Sequence, residues 1–410
     1  MSVTMPAAQL VRLDDYIPLV GAPEIHELRT LAAKLSGRTV QMVNTTALGG
    51  GVAEMLNRLV PLMQELEVRT RWDVMTGGDD FFAVTKAFHN ALHGGAYQPR
   101  PEDFRTYLTY NDLVAERMSF DCDFTVIHDP QPAALIRARQ DRSGLWIWRC
   151  HIDLSHPNPA VWEFLSPFVS QYDCALFSSL QFTRQLPIAQ YLFYPSIDPL
   201  SEKNQDLEPE CVRSVLERFG IDASRPILTQ VSRFDRLKDP VGVLRAYQIV
   251  RRYTDCQLVL AGGSASDDPE GGAVLAEIQD AAGHDPDVHI LNLPPWSALE
   301  INALQRASTV IIQKSIREGF GLTVAEALWK KKPVVASAVG GIPAQVVHKQ
   351  TGLLTHSVEG AAYHVRILLS NPEFAQKLGE QGREHVRENF LITGNVKRYL
   401  TLFLHLSEER

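Results

Sequence analysis

Two segments in the second half of the chain carry residue types that could act on a phosphate ester. Ser232-Arg233-Phe234-Asp235-Arg236-Leu237-Lys238-Asp239-Pro240 sets a guanidinium and an ammonium five residues apart, at the end of one element and the start of the next. Across such a turn both can point into one cleft, where a planar fork and a point charge would grip a diphosphate. A surface turn in which Asp235 and Asp239 pair with those cations accounts for the same residues. The second segment, Glu318-Gly319-Phe320-Gly321-Leu322-Thr323-Val324-Ala325-Glu326, follows an apolar run and opens a helix. Gly319 and Gly321 let a ligand approach the backbone, and the amides of a helix start favour a phosphate. Glu318 can accept hydrogen bonds from hydroxyls, and Glu326 reaches the same edge if the helix starts near Gly321. A glycine-rich turn with one capping and one solvated glutamate is the bland alternative.

The first half offers weaker signals. Gly49-Gly50-Gly51 leads a helix and suits a phosphate or a sugar. It lacks the third glycine of a dinucleotide fingerprint, where Glu54 stands, and Asp73 lies inside a strand-like run, so a nicotinamide reductase is a disfavoured alternative. His128-Asp129 ends one strand, and His151 with Asp153 ends another, so both pairs can face a cleft. A satisfied structural residue is the usual reading of a lone His or Asp there; two pairs at consecutive strand ends favour sugar binding. Lys86, His89 and Asn90 fit a solvated helix face equally well. No H-E-x-x-H occurs among the 13 histidines and the carboxylates show no ligand spacing, so no metal is expected. A G-x-S-x-G hydrolase motif is absent too. Glu318 and Glu326 as a glycosidase pair is the lesser reading, since they share one helical segment.

These residues need a frame. At about 150 residues per domain, 410 residues hold two or three domains. With 45% hydrophobic and 21% charged residues the composition is that of a globular chain, which argues against disorder or coiled coil. Forty Lys+Arg against 48 Asp+Glu give a net charge of −8 with no basic run, so neither nucleic acid nor a membrane surface is an expected partner. No 18-residue apolar span exists, and Met1–Val20 lacks the pattern of a signal peptide. Five cysteines at least two dozen residues apart read as reduced thiols buried near strands, and the expected address is the cytoplasm.

Short apolar runs alternate with helical periodicity. Strands are expected at Val40–Asn44, Trp72–Met75, Phe124–His128, Leu145–Cys150 and Ala175–Ser178. After a Pro-rich, polar stretch at Tyr194–Gln205 they resume at Ile227–Val231, Gln257–Ala261, His289–Asn292, Thr309–Ile312 and Pro333–Ala336. Helices are expected at Val52–Leu66, Pro372–Asn389 and Val396–Leu406. The fold class is α/β, with two doubly wound Rossmann-like domains facing across a cleft. The expected boundaries are 1–195 for the first domain, completed by a helix at 390–410, and 205–388 for the second.

The order strand–SRFDRLKDP, a strand ending in Gly262-Gly263, E-x7-E, then Val339-Gly340-Gly341-Ile342-Pro343 resembles the C-terminal domain of retaining glycosyltransferases of family 4, which have the GT-B fold. The stretches around Gly49–Leu56, Trp72–Gly78, Phe81–Asn90, Ile127–Pro132, Trp148–Asp153, Glu300–Arg306 and Gln313–Ser315 narrow the likeness. From about residue 14 onward the chain resembles trehalose synthases of the glycosyltransferring type, with trehalose phosphorylases as relatives.

The resemblance implies a set of roles. Catalytic roles fall on Arg233 and Lys238 at the leaving diphosphate, and on Glu318 and His151 at the donor glucose. Donor binding falls on Gly50, Gly51, Gly319, Phe320, Gly321, Leu322, Thr323 and Glu326, the last at the ribose. Acceptor binding falls on Asp129, Gln131, Asp153 and Lys86. The implied reaction makes α,α-trehalose from a nucleoside-diphosphate glucose (UDP-glucose or ADP-glucose as co-substrate, with no further cofactor) and glucose, reversibly and with retention. A trehalose phosphorylase, a transferase with another sugar acceptor, and a sugar-nucleotide-binding regulator without catalysis stay open. The expected partners are small-molecule sugars and nucleotides. A homodimer is left open because no interface stripe stands out.

Overall fold

A computed structural model describes residues 11–47, 50–139, 144–263 and 269–408. The chain divides into two compact units, one made of Met1–Ser196 with Ile392–Arg410 and the other of Ile197–Leu391. Each is built on a six-stranded sheet in which every pairing is parallel.

The first sheet contains β1 (Thr39–Asn44), β2 (Arg69–Val74), β3 (Phe124–His128), β4 (Leu145–Cys150), β5 (Cys174–Phe177) and β6 (Ala189–Leu192), in the order β2-β1-β3-β4-β5-β6. All residues of β3, β4 and β5 are buried, as strands covered by helices on both faces must be. Aromatic side chains dominate this core: Phe81, Phe88, Tyr107, Trp146, Trp148 and Phe177 are all buried. The closing helix Ile392–Glu408 packs on the same unit, with Phe403 stacked on Phe124 at 4.4 Å and Asn395 donating to the Tyr194 carbonyl.

The second sheet contains β7 (Ile227–Val231), β8 (Gln257–Gly262), β9 (Val288–Asn292), β10 (Val310–Gln313), β11 (Val334–Ser337) and β12 (Leu353–Thr355), in the order β12-β11-β10-β7-β8-β9. Its core is aliphatic, around Leu228, Val243, Leu258, Leu260, Val310 and Ile312. The order runs outward in both directions from β7 and β10, so these neighbours form the topological switch point, where connections leave on opposite faces. The segments after β7 and β10 are the two that carry Arg233/Lys238 and Glu318.

Ten of the twelve strands lie where apolar runs place them, within a few residues. The other two, β6 and β12, are sheet edges of four and three residues. Periodicity cannot register elements so short, whereas the longer edge strands β2 and β9 do show in the sequence. Among the described residues the five cysteines form no disulfide; Cys211 sits part-exposed on the helix Pro209–Arg218 and not on a strand.

Candidate active site

In the second unit the chain leaves β7 at Ser232, whose N–H still donates to the Ala261 carbonyl of β8, and turns through Arg236–Lys238 into the helix Pro240–Arg251. Asp239 caps that helix through the Gly242 N–H and holds a left-handed backbone at φ 49°. The two aspartates of the turn behave differently. Asp235 pairs with Arg233 at 3.3 Å, and that guanidinium is largely solvent-exposed. Asp239 pairs with Lys314 instead of Lys238. Lys238 reaches across to the segment after β10 and donates to both oxygens of Glu318, each at 2.7 Å.

Glu318 is buried and also accepts from the Ser315 hydroxyl at 3.0 Å. Its backbone is fixed by glycines that leave room for nothing larger. A Cβ on Gly340 would lie 1.6 Å from the Glu318 carbonyl oxygen, and Gly340 itself holds φ 55°. The neighbouring Gly341 N–H donates to the Gly319 carbonyl. A Cβ on Gly262 would lie 1.7 Å from the Ser232 carbonyl oxygen. Thus the four motif pieces read from the sequence meet as close backbone contacts in two pairs, SRFDRLKDP with Gly262 and EGFG with VGGIP, and the Lys238–Glu318 side chains join the pairs. Gly321 at φ 82° caps the helix Leu322–Trp329, so the amides of the first turn, at Leu322 and Thr323, lie at its start. The Phe320 side chain is core, edge-on to Phe390, which leaves only its backbone for a ligand. Thr323 donates to Gln313 Oε1 at 3.4 Å. Glu326 is 3% exposed; its Oε1 lies 3.7 Å from Lys203 Nζ, and its Oε2 has no hydrogen-bond partner among the described residues.

The first unit brings a second group together at the carboxyl ends of β3 and β4. His128 Nδ1 and His151 Nε2 are 3.0 Å apart, with the rings nearly parallel. Asp129 takes φ 69°, its N–H donating to the Arg149 carbonyl while its Oδ1 accepts from the His151 N–H at 2.8 Å. Trp148 Nε1 donates to the Asp129 carbonyl. Burial pushes His128 down to about 3 and His151 well below its ordinary value, the Arg149 charge adding to both and His128 adding to His151. Burial raises the Asp129 carboxyl to about 6, against the pull of the His151 N–H and Arg149. Near neutral pH the two imidazoles are therefore uncharged, and across the contact one ring donates its N–H to the bare nitrogen of the other. Arg149 is fully buried, held by Ser178 Oγ and the Phe193 carbonyl.

The other expected residues are less tightly gathered. Asp153 is buried and accepts from the Ser155 N–H at 2.8 Å. Gln131 accepts from Asn111 through its backbone carbonyl, and its buried Oε1 has no hydrogen-bond partner among the described residues. Lys86 is part-exposed on the helix Asp79–Leu92. Gly50, at φ 85°, caps the helix that begins at Gly51; Gly49 lies outside the described residues. No cluster of three metal-ligating side chains occurs among the described residues. No described helix is long and apolar enough to cross a membrane. Sequence reasoning did not single out Ser315 as a partner of Glu318, nor Lys330. The signal for Lys330 was present: a lysine four residues after Glu326, on a helix otherwise apolar from Val324 to Trp329.

Comparison with known proteins fits this geometry. Residues 42–184 match the family described as "Trehalose synthase, N-terminal domain", and residues 214–385 match "Glycosyl transferases group 1". The chain has the fold of a sucrose-phosphate synthase from Thermosynechococcus elongatus, with a TM-score of 0.72 at 18% identity over 91% of this chain and 100% of that one. Two Rossmann-like units of parallel sheet with a group 1 transferase domain define a glycosyltransferase of the GT-B fold. The trehalose synthase of Pyrococcus horikoshii is 44% identical over 397 residues, covering 95% of each chain, and a trehalose phosphorylase of Pleurotus pulmonarius is 29% identical over 95% of this chain and 60% of its own length. The chain belongs to the trehalose synthase family, and its chemistry is trehalose-related glycosyl transfer.

Proposed function

We propose that this protein is a retaining glucosyltransferase that makes α,α-trehalose from a nucleoside-diphosphate glucose and glucose, reversibly. The observation that carries the reading is the pair of the part-buried Lys238 with the buried Glu318 at the switch point of the second sheet, beside the start of the helix Leu322–Trp329. An ammonium has three N–H donors, and Glu318 takes two; the third suits a leaving diphosphate. Arg233, one turn away and largely exposed, adds a fork for the same group. As the glycosidic bond breaks, negative charge builds on the diphosphate. Preorganised donors at that point stabilise the transition state more than the ground state.

Glu318, held from below by Lys238 and Ser315, keeps lone pairs for donor-sugar hydroxyls, and Glu326 Oε2 suits a ribose hydroxyl. The neutral His128–His151 pair gives a dry, hydrogen-bonding wall for sugar hydroxyls in the first unit, and Asp129 with Asp153 serves the acceptor glucose. Retention follows if the leaving phosphate itself takes the acceptor proton on the face it departs from, so that no protein nucleophile is required. The likeness to a trehalose phosphorylase supports a second reading, in which phosphate replaces the nucleotide.

Product analysis separates the two. Purified protein is given UDP-glucose or ADP-glucose with glucose, then trehalose with UDP, ADP or inorganic phosphate. The expected result is α,α-trehalose from a sugar nucleotide, reversed only by a nucleoside diphosphate. Release of glucose 1-phosphate from trehalose by phosphate would replace this reading with the phosphorylase. Disaccharides other than trehalose as sole products would overturn the acceptor assignment.

A further inference from the structure

We propose that Lys330 is a positioning residue for Glu326, setting that carboxylate against the ribose of the bound nucleotide; this rests on the donor-site reading above. Lys330 follows the helix Leu322–Trp329 directly and stands one turn after Glu326. Its side chain is buried, and its ammonium donates to Asn204 Oδ1 at 2.8 Å, Gln305 Oε1 at 2.7 Å and the Glu326 carbonyl at 3.3 Å. All three donors are thereby used. No carboxylate is hydrogen-bonded to it. A buried ammonium held only by neutral acceptors is costly where an apolar side chain would continue the helix surface. Burial accordingly pushes Lys330 down to about 7, with Glu326 opposing the shift and Arg306 and Lys203 adding to it.

What the ammonium gains is a three-way junction. Residues 201–206 form a strap that other side chains also hold down. Asn302 donates to the Glu202 and Gln205 carbonyls, and Arg306 donates to the Asn204 and Gln205 carbonyls and pairs with Asp206 at 2.9 Å. The strap carries Lys203, whose ammonium stands 3.7 Å from Glu326 Oε1, beyond hydrogen-bond reach. Lys330 is the side chain that joins this strap, the helix Ala298–Ala307 and the helix bearing Glu326. Glu326 is thus held at a fixed distance from Lys203 while Oε2 keeps its hydrogen-bonding capacity among the described residues.

The junction continues toward the other glutamate. Gln305 Nε2 donates to the Thr323 carbonyl at 3.4 Å, Thr323 Oγ1 to Gln313 Oε1 at 3.4 Å, Gln313 Nε2 to Ser315 Oγ at 3.0 Å, and Ser315 Oγ to Glu318 at 3.0 Å. The Glu318 carboxylate is therefore linked, through this run of contacts and the Lys330 ammonium, to the backbone carbonyl of Glu326.

The test uses the full chain and calorimetric titration with UDP, ADP and their 2′,3′-dideoxy forms. For whichever diphosphate binds, Lys330→Met is expected to weaken binding roughly tenfold, the scale of one lost hydrogen bond to a charged group. The dideoxy form should bind wild type and Lys330→Met alike, because it has no ribose hydroxyl to lose. Glu326→Gln should show the same selective loss, and the double variant should be no weaker than the weaker single one. Equal losses for the ribo and dideoxy forms, or additive losses in the double variant, would make Lys330 merely structural and overturn the proposal. If Lys330→Met does not fold, Asn204→Ala decides: a ribose-selective loss supports the junction, and an unchanged ratio of ribo to dideoxy binding overturns it. Wild-type protein that binds neither diphosphate, or binds dideoxy forms as tightly, would instead overturn the donor-site reading. Wild-type discrimination that survives intact in Lys330→Met overturns this proposal alone.

Discussion

The two units place candidate binding groups at the carboxyl ends of parallel strands, yet they handle charge in opposite ways. In the second unit the groups are ionic and mutually paired: Lys238 with Glu318, Lys314 with Asp239, Arg233 with Asp235. In the first unit burial disfavours charge on the site groups, leaving two neutral imidazoles in contact and a carboxyl pushed toward neutrality beside the buried Arg149. The difference fits what each is proposed to bind. A site for a diphosphate needs cations that stay charged when water leaves, and a carboxylate partner keeps them so. A site for uncharged hydroxyls needs donors and acceptors whose orientation is fixed, which neutral imidazoles supply without competing for counterions.

The largest effect should come from breaking the Lys238–Glu318 pair. Lys238→Met leaves Glu318 buried with Ser315 as its remaining side-chain donor, a situation that typically costs about 3–5 kcal/mol. It also removes a preorganised cation, which typically lowers the rate by about 10²–10³. Both a lower melting temperature and a collapse in turnover are expected. A variant that melts like wild type would show that the charges of the second unit are not interdependent.

Arg233→Ala sharpens the same point. Its partner Asp235 is 3.3 Å away and the guanidinium is mostly exposed, so stability should change by about 0–1 kcal/mol at most. Turnover should still fall by about 10²–10³ if Arg233 meets the diphosphate. The two cations of one motif would thus separate: one structural and functional, the other functional only. Near-wild-type turnover in Arg233→Ala would remove it from the site.

That separation marks how far sequence reading could go. The strands of the sheets were legible because both faces are buried and the runs are continuous, as in β3, β4, β7 and β8. The motif glycines were legible for a related reason: Gly340 and Gly262 stand where another backbone comes within atomic contact, and no other residue type can replace them. Partner choice was not legible. Sequence proximity suggested Asp239 for Lys238, whereas the switch point brings Glu318, 80 residues away, against it. The lysine at 330 stood out on its apolar helix, but its side-chain acceptors were hidden likewise, because they come from positions 204 and 305. Proximity that arises from strand order leaves no local trace.

The neutral group of the first unit predicts a distinctive acid response. His128 and His151 have folded values depressed below the ordinary 6.5, so the unfolded chain binds protons more readily and stability falls as pH drops below about 6.5. Asp129 acts in the opposite sense: its raised value makes the folded state take a proton first, so it adds stability as pH falls through about 6. Two imidazoles outweigh one carboxyl, so the net effect is a loss of stability on acidification from about pH 6 to 5. His128→Asn should flatten that slope in urea unfolding curves. An unchanged slope would mean the imidazoles are not kept neutral by the fold, and the contrast with the second unit would fail.

The smallest expected effect on stability concerns Asp153, and it tests whether a carboxylate in the neutral region serves the fold or the acceptor. Its Oδ1 accepts the Ser155 N–H at 2.8 Å, closing a local turn that an asparagine can close equally well. Asp153→Asn should therefore cost less than about 1 kcal/mol, within the range of one exchanged neutral hydrogen bond. An acceptor-binding role predicts something different in the kinetics. The amide cannot accept from two glucose hydroxyls as a carboxylate can, so KM for glucose should rise roughly tenfold while KM for the sugar nucleotide stays put. If both KM values hold at wild-type levels, Asp153 is only a turn residue, and acceptor recognition must rest on the Asp129–His151 side of the group.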